Sequence, residues 1–137
     1  MLYEQNNSER DCNYITELIQ RINSLQREVI ENDSICINCE LALLAATYNT
    51  VPISIYTKCQ GPFTAIIDLD GTTTNVFRIE SIKCNRYVTL RLLEVTTDTP
   101  PVIVGTNRTI VLDMSQIIAI QCYEPITIEP CTTTVTP

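Results

Sequence analysis

The sequence predicts a mainly β fold, an antiparallel sandwich or barrel of about six or more short strands, with an N-terminal α-helix and a short second helix. Three observations carry that prediction. From residue 52 onward, short runs rich in Val, Ile and Thr recur about every ten residues, separated by turn formers. Within "YVTLRLLEV" (87–95), Val88, Leu90 and Leu92 face one way while Thr89 and Arg91 face the other, as in a sheet with one face on a core. Ahead of this β texture, Ile15, Leu18, Ile22, Leu25 and Val29 recur at alternating spacings of three and four, which is a helical stripe.

Residues 1–8 form a polar arm, and the helix is predicted from Asp11 to Glu31, with Ser8 or Asp11 as its cap and "ENDS" (31–34) as its stop. Its spacing is that of a coiled-coil seam. Only about two heptads are present, too short to stand alone, so the stripe is expected to lie on its own domain or on a neighbour's and is a candidate assembly element. A second helix is predicted over Glu40–Tyr48. The strands follow as "PISIYT" (52–57), "FTAIIDL" (63–69), "NVFRIESI" (75–82), "YVTLRLLEV" (87–95), "RTIVLDM" (108–114) and "IIAIQCYEPI" (117–126). The organisation expected is an arm and helix over 1–34, a β-rich core over 35–128 and a Thr-rich tail over 129–137.

Composition removes several function classes. The chain has 137 residues, enough for one core. It contains no histidine, so neither a Cys–His nor a Ser–His nucleophile can be assembled. Sixteen acids stand against nine bases, and no stretch concentrates Lys and Arg, which argues against nucleic acid as a partner. "MLYEQNNSERD" has neither the basic start nor the apolar core of a signal peptide, and "LALLAA" falls far short of a membrane span. A soluble protein made in a cytoplasm is expected. Seven cysteines are unusual there, and the odd count leaves at least one unpaired or joined to another chain.

Two motifs invite a catalytic reading. "AIIDLDGTTTN" (65–75) resembles the first motif of haloacid-dehalogenase-type phosphatases, with Asp68 as nucleophile, Asp70 as acid/base and Mg²⁺ as cofactor. That chemistry needs a following helix, a downstream lysine and a further acidic pair, whereas another strand follows here. Asp-Gly between strands is a strong hairpin signal, and the turn is the preferred reading. In "CINC" (36–39), Cys36 and Cys39 precede a predicted helix, the arrangement of a thiol–disulfide oxidoreductase, but the β-α-β context of that fold is missing. A zinc-binding adaptor needs a second cysteine pair, and Cys59, Cys84, Cys122 and Cys131 stand singly, as does Cys12. A structural or cross-linking role for the thiols is the preferred reading, with no catalytic residue, metal or cofactor assigned. The sequons at 6–8 and 107–109 are discounted for want of a secretion signal.

"FRIESIKCNRYVTLRLLEV" (77–95) and "DMSQIIAIQCYEP" (113–125) resemble characteristic stretches of the spore coat Y/Z family, cysteine-rich proteins of the outer coat and exosporium of spore-forming bacteria. The order of features is also similar: a helical N-terminus, the Cys36/Cys39 cluster, "TVPISIY" (50–56), an apolar stretch from Phe63, the Cys84 strand and "AIQC" (119–122). Cys84 and Cys122 carry over best. The family usually has further cysteines near the positions of Arg86, Tyr87, Gln116 and Ile118, which weakens dense cross-linking but not kinship. The resemblance implies a non-enzymatic subunit of the spore surface that self-assembles into an ordered layer or fibre reinforced by disulfides. Its partners would be its own copies and other coat proteins. It also implies synthesis in the mother-cell cytoplasm, which would account for cysteines without a signal peptide. All seven cysteines (12, 36, 39, 59, 84, 122 and 131) are then cross-link candidates.

Overall fold

Asn13 opens helix α1 (Tyr14–Arg27) of a computed structural model that describes residues 13–27, 48–58 and 61–131. The Asn13 side-chain oxygen accepts from the Thr16 N–H at 3.0 Å, and Glu17 places an acid in the first turn, where the free N–H groups favour negative charge. Asn13 thus caps the described helix, and the predicted caps Ser8 and Asp11 lie outside the described residues. The second predicted helix, over 40–48, lies outside the described residues apart from Tyr48.

The predicted β architecture is present. Strands β1 (Ile53–Thr57), β5 (Val76–Lys83), β6 (Tyr87–Val95), β7 (Ile103–Asp113) and β8 (Ile117–Cys122) form a curled antiparallel sheet, joined by the two-residue β2 (Gly61–Pro62). A separate two-stranded sheet pairs β3 (Ala65–Ile66) with β4 (Thr73–Thr74). The sequence had "FTAIIDL" as one strand, but only Ala65–Ile66 of it is strand, because after Ile66 a tight turn takes over. There Gly71, at φ 102°, donates to the Asp68 carbonyl at 3.0 Å. The last strand stops at Cys122, short of the predicted 126, with Pro125 close behind.

Strand β7 is longer than expected and begins at Ile103. The sequence around Gly105 and Asn107 reads as turn chemistry, yet the strand passes through it with a bulge. Leu93 sits opposite Gly105 and Arg91 opposite Thr109, so Thr106, Asn107 and Arg108 occupy the space facing Leu92 alone.

The curl follows from connectivity. One edge of β1 pairs with β8 along Ile53–Thr57, and its other edge meets β5 and β2. Only the 3-10 turn Met114–Gln116 separates β7, beside β6, from β8, beside β1. Three residues at roughly 2 Å each cannot span a flat sheet of strands about 4.8 Å apart. The two ends must bend toward each other.

Both faces of the central strands are covered, since Val76 and Phe77, like Leu92 and Leu93, are adjacent in sequence and all buried. On the inner face, Leu18, Ile19 and Ile22 of α1 pack with Ile53, Ile55, Phe77, Ile79, Val88 and Leu90. Each such side chain contributes about 1.5–3 kcal/mol on full burial. On the outer face, Ile128 covers Val76 and Leu93. Its segment is held by the Thr50–Ile126 backbone pair and by Asn49, whose side-chain amide donates to the Ile128 carbonyl at 3.0 Å and accepts from its N–H at 3.2 Å.

Candidate functional site

The β5–β6 turn presents the most accessible described cysteine. Cys84 and Asn85 both have positive φ, 56° and 52°, and the Arg86 N–H donates to the Lys83 carbonyl at 3.0 Å. Two left-handed central residues are the pattern of a type I′ turn, whose twist matches a hairpin. Asparagine accepts that conformation readily; cysteine does so at a cost of about 1–2 kcal/mol. The turn's base is pinned from two sides. Arg86 donates through Nε and Nη2 to Asp113, both at 3.0 Å, and its carbonyl accepts from the Met114 N–H at 2.9 Å. The Asp113 carboxyl also accepts from the Ser115 N–H at 2.9 Å. That backbone bond, the Ser115 hydroxyl and the Arg86 charge hold it below the usual carboxylate range. The Cys84 thiol is thus exposed, free and carried on a braced support at the far end of β7.

The other described cysteines lie on different elements. Cys131 is a free, half-buried thiol beyond the Ile126–Ile128 segment. Cys122, half-buried at the end of β8 opposite Ile53, is not free. Cys12, Cys36, Cys39 and Cys59 lie outside the described residues. Among the described residues no three His, Cys, Asp or Glu side chains cluster as metal ligands.

Asp68 and Asp70 sit in the tight turn between β3 and β4. Asp70 accepts from the Thr72 N–H at 2.9 Å, and that bond with the Thr72 hydroxyl lowers its pKa, the wrong direction for a general acid at neutral pH. Asp68 pairs with Arg108 of β7 at 2.9 Å. The pair joins the small sheet to the large one.

Of the predicted helical stripe, Leu18 and Ile22 are buried on the chain's own sheet, and Ile15 and Leu25 are half-buried beside them. Val29 lies outside the described residues. Among those described, no helix is long and apolar enough to cross a membrane. Strand β7 pairs with β6 on one edge, and no described strand pairs with the other. Val102, Val104 and Val111 are exposed along and beside it. An unpaired edge of eleven residues is a template for another strand. The sequence could not mark this edge, because edge position depends on topology and not on strand composition.

A family model described as spore coat protein Z matches residues 1–117. The chain belongs to the spore coat protein Z family. Membership gives it a structural role in the spore coat and points away from an enzyme. It is also consistent with association with other coat proteins. No curated protein and no solved structure matches the chain.

Proposed function

We propose that this coat protein Z family member self-assembles into an ordered layer or fibre of the outer coat or exosporium, and that disulfides between neighbouring copies reinforce it. The exposed Cys84 thiol carries the reading. It stands on a braced turn next to the end of the β7 edge that no described strand pairs with, so strand pairing between copies and a thiol cross-link would act at adjoining places. Repetition of one contact gives a ring when it closes and an open polymer when it does not. Oxidation would then lock a concentration-dependent assembly covalently. The Thr-rich tail and N-terminal arm are further candidate contacts, and other coat proteins are candidate partners. Synthesis in the mother cell, followed by exposure at the spore surface, would leave Cys84 reduced until assembly.

The test is negative-stain electron microscopy of purified full-length protein with and without reductant, beside a Cys84→Ser variant. Regular sheets, rings or fibres that loosen in reductant, and that form without covalent locking in the variant, are the expected result. A monomer under both conditions would sink the reading. Metal content and dithiol activity at Cys36 and Cys39 would then be measured next.

A further inference from the structure

Arg78 and Arg91 are cross-strand partners on β5 and β6 and so point to the same outer face. Their circumstances differ sharply. Each guanidinium nitrogen of Arg78 is engaged: Nε donates to the Thr50 hydroxyl at 2.8 Å, Nη2 to the Asn49 carbonyl at 2.9 Å, and Nη1 to the Glu80 carboxylate at 2.8 Å. Arg91 is more deeply buried, only 4% exposed, yet among the described residues its one hydrogen bond runs from Nε to the Thr106 carbonyl at 2.6 Å. No described carboxylate pairs with it. A buried guanidinium with four N–H donors that no described residue accepts from is costly unless something else accepts from it.

Its surroundings leave room for an acceptor. Arg91 lines a cleft of about 520 Å³ between the start of β7 and the 127–130 segment. Two features of β7 make the cleft. The bulge turns the Thr106 carbonyl onto Arg91, and Gly105 lets the guanidinium lie against the backbone, since a Cβ there would sit 2.8 Å from Nη2. Ile103, Ile128 and Pro130 give apolar walls, and Glu129 also lines the cleft without an ion pair to Arg91.

We infer that this cleft binds a carboxylate: the two Nη groups fork onto its oxygens while an apolar body lies against Ile103, Ile128 and Pro130. The volume is far larger than a bare ion needs and falls in the range of small-molecule sites. The guanidinium fork matches a carboxylate in bidentate geometry. Glu129 disfavours a dianion such as phosphate. The carboxylate is borne either by a free small organic acid or by an acidic side chain of a second copy of this chain.

Calorimetric titration of the reduced full-length chain with sodium butyrate, against sodium chloride at equal ionic strength, tests this. Saturable binding of one butyrate per chain is expected, weakened by at least about tenfold in Arg91→Met and tightened in Glu129→Gln. Inorganic phosphate should bind more weakly than butyrate. No saturable heat, equal affinity in Arg91→Met, or tighter binding of phosphate would each overturn the inference. The Glu129 variant and the phosphate comparison keep it testable should Arg91→Met not fold. Sedimentation velocity separates the two sources. Butyrate that lowers the sedimentation coefficient marks a second copy's acid as the natural occupant, and an unchanged coefficient marks a free acid. Failure here leaves the assembly reading untouched, since that rests on Cys84 and the β7 edge.

Discussion

At the scale of single residues, the costliest conformational choice is Cys84 in a left-handed turn position. Glycine would adopt φ 56° without a Cβ clash, so Cys84→Gly should stabilise the isolated subunit by about 1 kcal/mol, read as a higher denaturant midpoint. On the assembly reading, the same change should remove the reductant-sensitive cross-links made through Cys84. A loss of stability would show that the thiol makes contacts inside the fold. Gln26 is the opposite case, a polar side chain whose burial holds elements together. Its amide donates to the Ile79 carbonyl at 2.7 Å and accepts from the Val51 N–H at 3.0 Å, bridging α1 to β5 and to the lead-in of β1. Gln26→Ala strands both groups and should cost about 1–3 kcal/mol in chemical unfolding. Asp113 gives a pH signature. Its folded pKa lies below the unfolded value of about 3.9, so its contribution is present above that pH and is lost as pH falls through the folded value. The melting temperature should drop on acidification below about pH 4, and less steeply in Asp113→Asn.

At the scale of elements, the helix and the central strands were plain in the sequence because each repeats a period that burial enforces. Leu18 and Ile22 sit where the stripe puts them, and Val88, Leu90 and Leu92 share a buried face as their alternation requires. The Asp-Gly turn was equally legible. Two polar residues in the interior were not. Gln26 finds its acceptor 53 residues away and Arg91 lies against a bulge, and neither arrangement leaves a periodic mark. The bulge itself was hidden by chemistry that signals turns, since Gly105 and Asn107 look like the end of a strand. Gly105→Ala tests its role as an element. A Cβ would meet Arg91 at 2.8 Å, Ile128 at 3.2 Å and so push the guanidinium from the cleft. Lower stability and lost butyrate binding should appear together. Retention of both would mean that the bulge relaxes without disturbing the cleft.

At the scale of the whole molecule, the sheet is completed by distant parts of the chain. The first strand is bordered by the last, and the outer face is covered by a segment later still, around Ile128. The described cysteines follow this plan, with Cys84 at a hairpin tip, Cys122 at the closing strand and Cys131 past the covering segment. A thiol-specific label applied to the native reduced protein should therefore modify Cys84 faster than the half-buried Cys131, read by peptide mass spectrometry. Equal rates would show that the segment after Ile128 opens freely.

The bordering of β1 by β8 also dictates when the protein can finish folding. A ribosome releases Ile53–Thr57 about sixty residues before Ile117–Cys122 can pair with it. During that interval the nascent β1 has an open side within reach of other nascent chains. Cells making many copies at once would thus face tangled half-made subunits before any coat is built.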